Sequence, residues 1–360
     1  MAVTNPRASR KTAAPITAIQ LTSNDFRPRF LPKPFFIKFD MSLKFEFIID
    51  KGANFAYWAQ LLLGSWSWYF EKENSQLFLE EMGTFSKEEQ KALEKLRMIL
   101  QKKGNQYRWL WQRYGNQPFD NGQDEEVYNL IKSAFDQKFQ LLWNKESPSL
   151  KQWKTELERY NFEKLLPAFR NIAIFLGLAE NLDLTHPKIK LLISGNFPTG
   201  ATRADFKNLI ILNVSRVPLI KISRAAGVLI HECAHLLNNE GGFMNKLIEA
   251  ADYPNIKVDG GYKWKYLIGE TVLKSVSSHR ANTYIGKLLD FSDSERKNDE
   301  DLSHKLPLRE YGYEFLIRIA ASRLFPETIA YIEAGKVIDQ MHINNAVNIL
   351  ADLLREREAV

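Results

Sequence analysis

At 360 residues the chain is long enough for one large domain or two to three modest ones. Its 45% apolar and 26% charged residues exclude a wholly disordered, collagenous or coiled-coil protein. One cysteine, Cys233, excludes an internal disulfide and a cysteine-rich zinc module, and it fits a reducing, cytoplasmic setting. The net charge of +6 arises in residues 1–38, where Arg7, Arg10, Lys11, Arg27, Arg29, Lys33 and Lys38 face Asp25 alone. The rest of the chain is balanced, so the charge marks a basic leader and not a basic face for nucleic acid.

Residues 1–34 read as a disordered leader ending in Pro32 and Pro34. Phe39–Phe47 alternates apolar and polar residues, the period of a strand. It opens a region, 35–180, whose spacing is helical from about residue 51 and which holds all but one of the eight tryptophans. The most apolar stretch, Ala53–Phe70, is broken by Asn54 and Gln60 and followed by Glu71, which predicts a buried helix and no membrane span. Within Tyr107–Tyr114 the spacing predicts an amphipathic helix with Trp109, Leu110 and Trp111 turned inward, so no specific nucleic-acid site is expected there. Asp124-Glu125-Glu126 reads as a solvated helix start, and Ser147-Pro148-Ser149 as a break between elements.

The texture changes in the region 181–295. Lys188–Ser194 and Asn208–Val214 read as strands, separated by a turn-rich Gly195–Gly200. Helices are predicted over about 223–238, stopping at Gly241-Gly242, over 243–251, and over 262–290. A charged loop around Ser292–Asp301 leads into a helical region, 296–360, where Pro326 is expected to open a helix at its first turn. The chain therefore predicts an α+β fold, predominantly helical, with a small sheet.

One pentapeptide carries chemistry: His231-Glu232-Cys233-Ala234-His235. On a helix, positions 231 and 235 lie one above the other. Their imidazole nitrogens can then reach one tetrahedral Zn²⁺ at about 2.0–2.1 Å. Glu232 stands beside them as a general base for a water molecule that zinc acidifies to a pKa of about 7. Val228, Leu229, Ile230, Leu236 and Leu237 make the helix a buried one. Two histidines and a glutamate are costly there unless something satisfies them, and a metal does so. Cys233, about 200° around the helix from either histidine, reads as a small buried hydrophobe and not a ligand.

The run Val228–Leu237 resembles the zincin superfamily of zinc metallopeptidases, over a likeness spanning roughly residues 186–290. The resemblance implies peptide-bond hydrolysis, with the strand before the motif, Leu209–Val214, forming a sheet edge that holds extended substrate. The metzincin continuation is absent, since Asn238 and Gly241 stand at its positions. The gluzincin branch implies a third ligand, a glutamate on a later helix. Glu270, flanked by Leu267 and Leu273, is the first choice; Glu249, Glu327 and His279 remain open, and Glu270 also has an ordinary partner in Lys274 at i+4. Zincins steady the oxyanion with a tyrosine or histidine, for which Tyr262, Tyr266, Tyr284, His304, Tyr311 and Tyr313 are available. A catalytically inactive protein-binding module and a nucleic-acid-binding protein are the rival readings.

Overall fold

Asp50 shows how the first elements join. It follows strand β1 (Glu46–Ile49) and caps helix α1 (Lys51–Leu62), accepting a hydrogen bond from the Ala53 amide at 3.0 Å. Its second oxygen pairs with Lys190, a buried lysine on strand β2 (Lys188–Leu192). Burial alone would raise the Asp50 carboxyl. The Lys190 hydrogen bond, the Ala53 amide and the Lys190 charge outweigh it, and the carboxyl sits below its ordinary value. One turn on, Asn54 donates to the Leu191 carbonyl at 3.0 Å and accepts from the Ile193 amide at 2.7 Å. The helix is thereby tied to the sheet at both ends of one amide side chain.

The computed structural model describes residues 44–63, 69–102, 111–178, 187–193, 198–202, 206, 208–258, 263–277, 283–289 and 312–358. Phe39–Val360 forms one compact unit. The leader, Trp109, Leu110 and the charged loop lie outside the described residues, as do Tyr262, His279, His304 and Tyr311. Among the described residues the fold is predominantly helical with a four-stranded mixed sheet, and no helix is long and apolar enough to cross a membrane.

The sheet order is β1-β2-β4-β3, with β3 at Thr199–Thr202 and β4 at Leu209–Asn213. β1, β2 and β4 run parallel, in register through Ile49, Leu191 and Leu212. β3 runs antiparallel, with Gly200 opposite Leu212. This corrects two expectations. All five residues of β4 are buried, because β4 lies between β2 and β3, so Leu209–Val214 offers no free edge. Among the described residues the edge strands are β1 and β3, and β3 takes in Thr199 and Gly200 of the predicted turn.

Helices α2 (Tyr69–Met82) and α3 (Lys87–Lys102) lead to α4 (Gly122–Arg159) and α5 (Leu166–Phe175). The start of α4 follows the expected signal: Asn121 caps the Asp124 amide at 3.0 Å. Glu125 and Glu126 are solvated, whereas Asp124 is buried. Pro148 does not break the helix; α4 runs through it for 38 residues. A proline inside a helix costs about 3 kcal/mol, and here the flanking residues make strong tertiary contacts. Glu146 binds the Ser215 hydroxyl at 2.7 Å and Arg216 at 2.9 Å, Ser149 donates to the Ser215 carbonyl, and the Trp153 indole donates to the Val217 carbonyl at 3.0 Å. Upstream, Phe55, Trp58, Phe135 and Phe139 form the aromatic core between α1 and α4, with ring centroids 5.0–5.9 Å apart. Trp111 is buried against Tyr114 and Phe206.

The remaining helices are α6 (Ile222–Gly241), α7 (Phe243–Glu249), α8 (Trp264–Ser277), α9 (Tyr313–Glu333) and α10 (Gln340–Glu358). Gly242 ends α6 in the left-handed conformation at φ 60°, and its amide bonds the Asn238 carbonyl at 2.8 Å. Pro326 lies inside α9 and opens nothing. Buried Leu324, Thr328, Tyr331 and Ile332 on either side hold the helix across it.

Candidate metal centre

Helix α6 is amphipathic in an unusual sense: both of its faces at the motif meet protein. Ala225, Ala226, Leu229, Ile230, Cys233, Ala234 and Leu237 are fully buried. The expectation for Cys233 holds, and burial pushes its thiol well above the usual range. His231 and His235 point the other way, toward α8, with rings edge to face and centroids 4.7 Å apart. Helix α8 brings Glu270 to them.

The three donors form a triangle. His231 Nε2 and His235 Nε2 are 3.2 Å apart, Glu270 Oε1 is 3.1 Å from His235 Nε2, and Glu270 Oε2 is 3.6 Å from His231 Nε2. Tetrahedral ligands at about 2.0–2.1 Å from one ion are roughly 3.3 Å from each other, so the spacing fits a small divalent cation. Among the described residues this is the grouping of three such ligand side chains close enough to share an ion. Glu270 is buried, as expected of a carboxylate with cationic or metallic partners. It also pairs with Lys274 at 2.6 Å, so both explanations weighed for it from the sequence are realised at once.

The hydrogen bonds assign a tautomer. The Ser277 hydroxyl donates to the Leu273 carbonyl at 2.7 Å, so its oxygen accepts from His231 Nδ1 at 3.2 Å. The Nδ1–H of His231 is thereby used, and its Nε2 carries the lone pair that faces the triangle. Burial lowers the His231 pKa to about 4 despite the nearby Glu270 carboxylate. His235 is also disfavoured as a cation by burial, but Glu270 and Glu232 more than reverse this and raise it. Burial would raise Glu270 as well; Lys274 and the two histidines instead hold it well below the carboxylate range.

Glu232 is buried, and burial pushes its carboxyl up to about 7 against the pull of His235. Strand β3 lies directly over it, and the Thr202 side chain is near enough to favour its charged form slightly. The close approach depends on Gly200. A Cβ there would stand 2.6 Å from Val228 Cγ1 and 3.0 Å from Glu232 Cγ. Gly200→Ala is therefore expected to destabilise the fold by about 1–3 kcal/mol through overpacking. Chemical denaturation measures it, and an unchanged midpoint would show that β3 can lift from α6 at no cost.

Of the alternative ligands, His279 is outside the described residues and the two glutamates lie elsewhere. Glu249 is exposed and bonded to Lys265. Glu327 is no helix-start carboxylate; it accepts from Asn345 at 2.8 Å and stands 3.1 Å from Nδ1 of the buried His342. Of the expected oxyanion groups, Tyr284 bonds Asn171 and Tyr313 packs under the Arg357 guanidinium. Tyr266, on the same helix as Glu270, donates to Glu314 at 3.0 Å, and Tyr262, His304 and Tyr311 lie outside the described residues. Ser277, Thr202, Gly200 and Glu314 belong to the site without having been foreseen. A buried polar chain anchors α8 behind it: Ser275 meets Thr328 at 2.9 Å, and Thr328 meets His342 at 3.3 Å.

No family model, curated protein or solved structure matches the chain. The functional reading therefore rests on the residues themselves.

Proposed function

We propose that the protein is a zinc-dependent peptidase of zincin type. One observation carries the reading: two histidines one helical turn apart converge with a buried glutamate from another helix, while Glu232 lies beside them under a strand edge. His231, His235 and Glu270 would hold Zn²⁺, which supplies Lewis acidity toward a peptide carbonyl and toward a water molecule.

The chain's own residues do the rest. Glu232 takes the proton of the attacking water and hands it to the leaving amine, a role suited to a carboxyl whose burial places its pKa near neutrality. Ser277 keeps His231 in the tautomer with Nε2 free. The outer edge of β3, unpaired among the described residues, can take an extended peptide by main-chain pairing in place of β4.

The test is metal content together with peptide cleavage. Elemental analysis of protein purified without added metal should find one zinc per chain, and His231→Ala/His235→Ala should abolish it. Cleavage of a mixed peptide library should stop on chelation and return with zinc. Wild-type protein free of zinc, or a double variant that keeps it, would sink the proposal.

A further inference from the structure

Helix α8 carries a polar stripe across a buried surface. Tyr266, Glu270, Lys274 and Ser277 stand at i, i+4, i+8 and i+11, one face of a helix. Ser277 and Glu270 meet the histidines. Lys274 meets neither, yet only 13% of its side chain is exposed. Its ammonium donates to Glu270 Oε2 at 2.6 Å and stands 3.4 Å from Glu314 Oε2 at the start of α9. The other oxygen of Glu314 accepts from the Tyr266 hydroxyl at 3.0 Å.

An ammonium beside a metal ligand is unfavourable on two counts. It repels a divalent ion, and it cancels the charge that makes the carboxylate a good ligand. Glu314 offsets both by sharing the ammonium, and Tyr266 fixes Glu314 for that task. What the arrangement gains is orientation. Oε2 of Glu270 faces His231 Nε2 at 3.6 Å but is engaged by Lys274, whereas Oε1, 3.1 Å from His235 Nε2, is nearer to the histidines and carries no lysine. A carboxylate with both oxygens free can chelate an ion and fill the position that a water or substrate needs.

We propose that Lys274, with its charge balanced by Glu314, is a positioning residue that makes Glu270 a one-oxygen ligand and keeps a coordination position open. The inference rests on the metal-centre reading above.

Cobalt(II) is the probe, because its visible absorption is strong at four-coordinate centres and weak at five- or six-coordinate ones. The full chain, loaded with cobalt, should show the four-coordinate spectrum. Lys274→Met should lose at least about half of that absorptivity as Glu270 becomes bidentate. Glu314→Gln should keep the spectrum and lose about tenfold in metal affinity, because the unshared ammonium then neutralises Glu270. The two variants thus move different observables, which a general loosening of the fold would not do. A wild-type spectrum in Lys274→Met, with the fold intact by circular dichroism, overturns the proposal. If that variant does not fold, unchanged affinity in Glu314→Gln overturns it instead. A wild-type chain that takes up no cobalt overturns the metal-centre reading itself, and this proposal with it.

Discussion

Glu270→Ala is expected to lower zinc affinity by more than about 100-fold, the upper range for losing an outer-shell partner. Two histidines would remain, one turn apart on α6, and two nitrogens hold a catalytic ion poorly when three protein ligands are the norm. The change also strips Lys274 of its nearer carboxylate and leaves it 3.4 Å from Glu314. Breaking a buried pair costs up to about 3–5 kcal/mol, and the partner that remains reduces this. Glu270→Gln keeps the volume and a hydrogen-bond acceptor, so comparing the two separates loss of the ligand from loss of the fold. Glu249→Ala and Glu327→Ala serve as controls: the first residue is exposed on Lys265, and the second faces His342 and Asn345. Competition against a chromophoric chelator reads all four. Full affinity in Glu270→Ala, with loss in either control, would transfer the ligand role.

Glu232→Gln is expected to retain zinc and to lose about 10²–10⁴-fold in peptide cleavage. The side chain is buried and its carboxyl titrates near 7, so a neutral amide of the same shape removes a base without introducing a packing defect. Metal content and cleavage must be measured on the same preparation. Loss of zinc would make Glu232 a ligand, and undiminished cleavage would remove it from the proton path.

The motif helix was readable from sequence because its two requirements reinforce each other: paired histidines at i and i+4, and an apolar run that closes at Gly242. Glu270 was readable for a similar reason, a lone acid among Leu267, Ile268, Val272 and Leu273. Lys274 was readable too, as its i+4 partner. Ser277 and Glu314 were not: a serine near a helix end has many ordinary explanations, and Glu314 comes from a separate helix. Proline misled in both places where it was taken as punctuation. Pro148 and Pro326 each lose one backbone hydrogen bond, and tertiary contacts on both sides, Glu146 and Trp153 in one case, Leu324 and Thr328 in the other, outweigh that local cost. The sheet order was partly within reach. Leu209–Leu212 is apolar without alternation, the pattern of a strand covered on both faces, and such a strand sits inside a sheet. Thr199–Thr202 has no such pattern, and only its pairing with β4 makes it a strand.

The sheet's parallel pairing has a consequence for dissecting the protein into working parts. β1 ends at Ile49 and its partner β2 begins at Lys188, so everything from α1 to α5 is spliced between two adjacent strands. A fragment beginning near residue 181 would keep His231, His235 and Glu270 and yet expose the flank of β2. It would also leave Lys190 without Asp50 and the approach to α6 without Glu146, Ser149 and Trp153. The candidate ligands all lie between residues 231 and 270, but the platform beneath them draws on residues before and after residue 181. The indivisible unit of this chain is therefore larger than the segment that carries them.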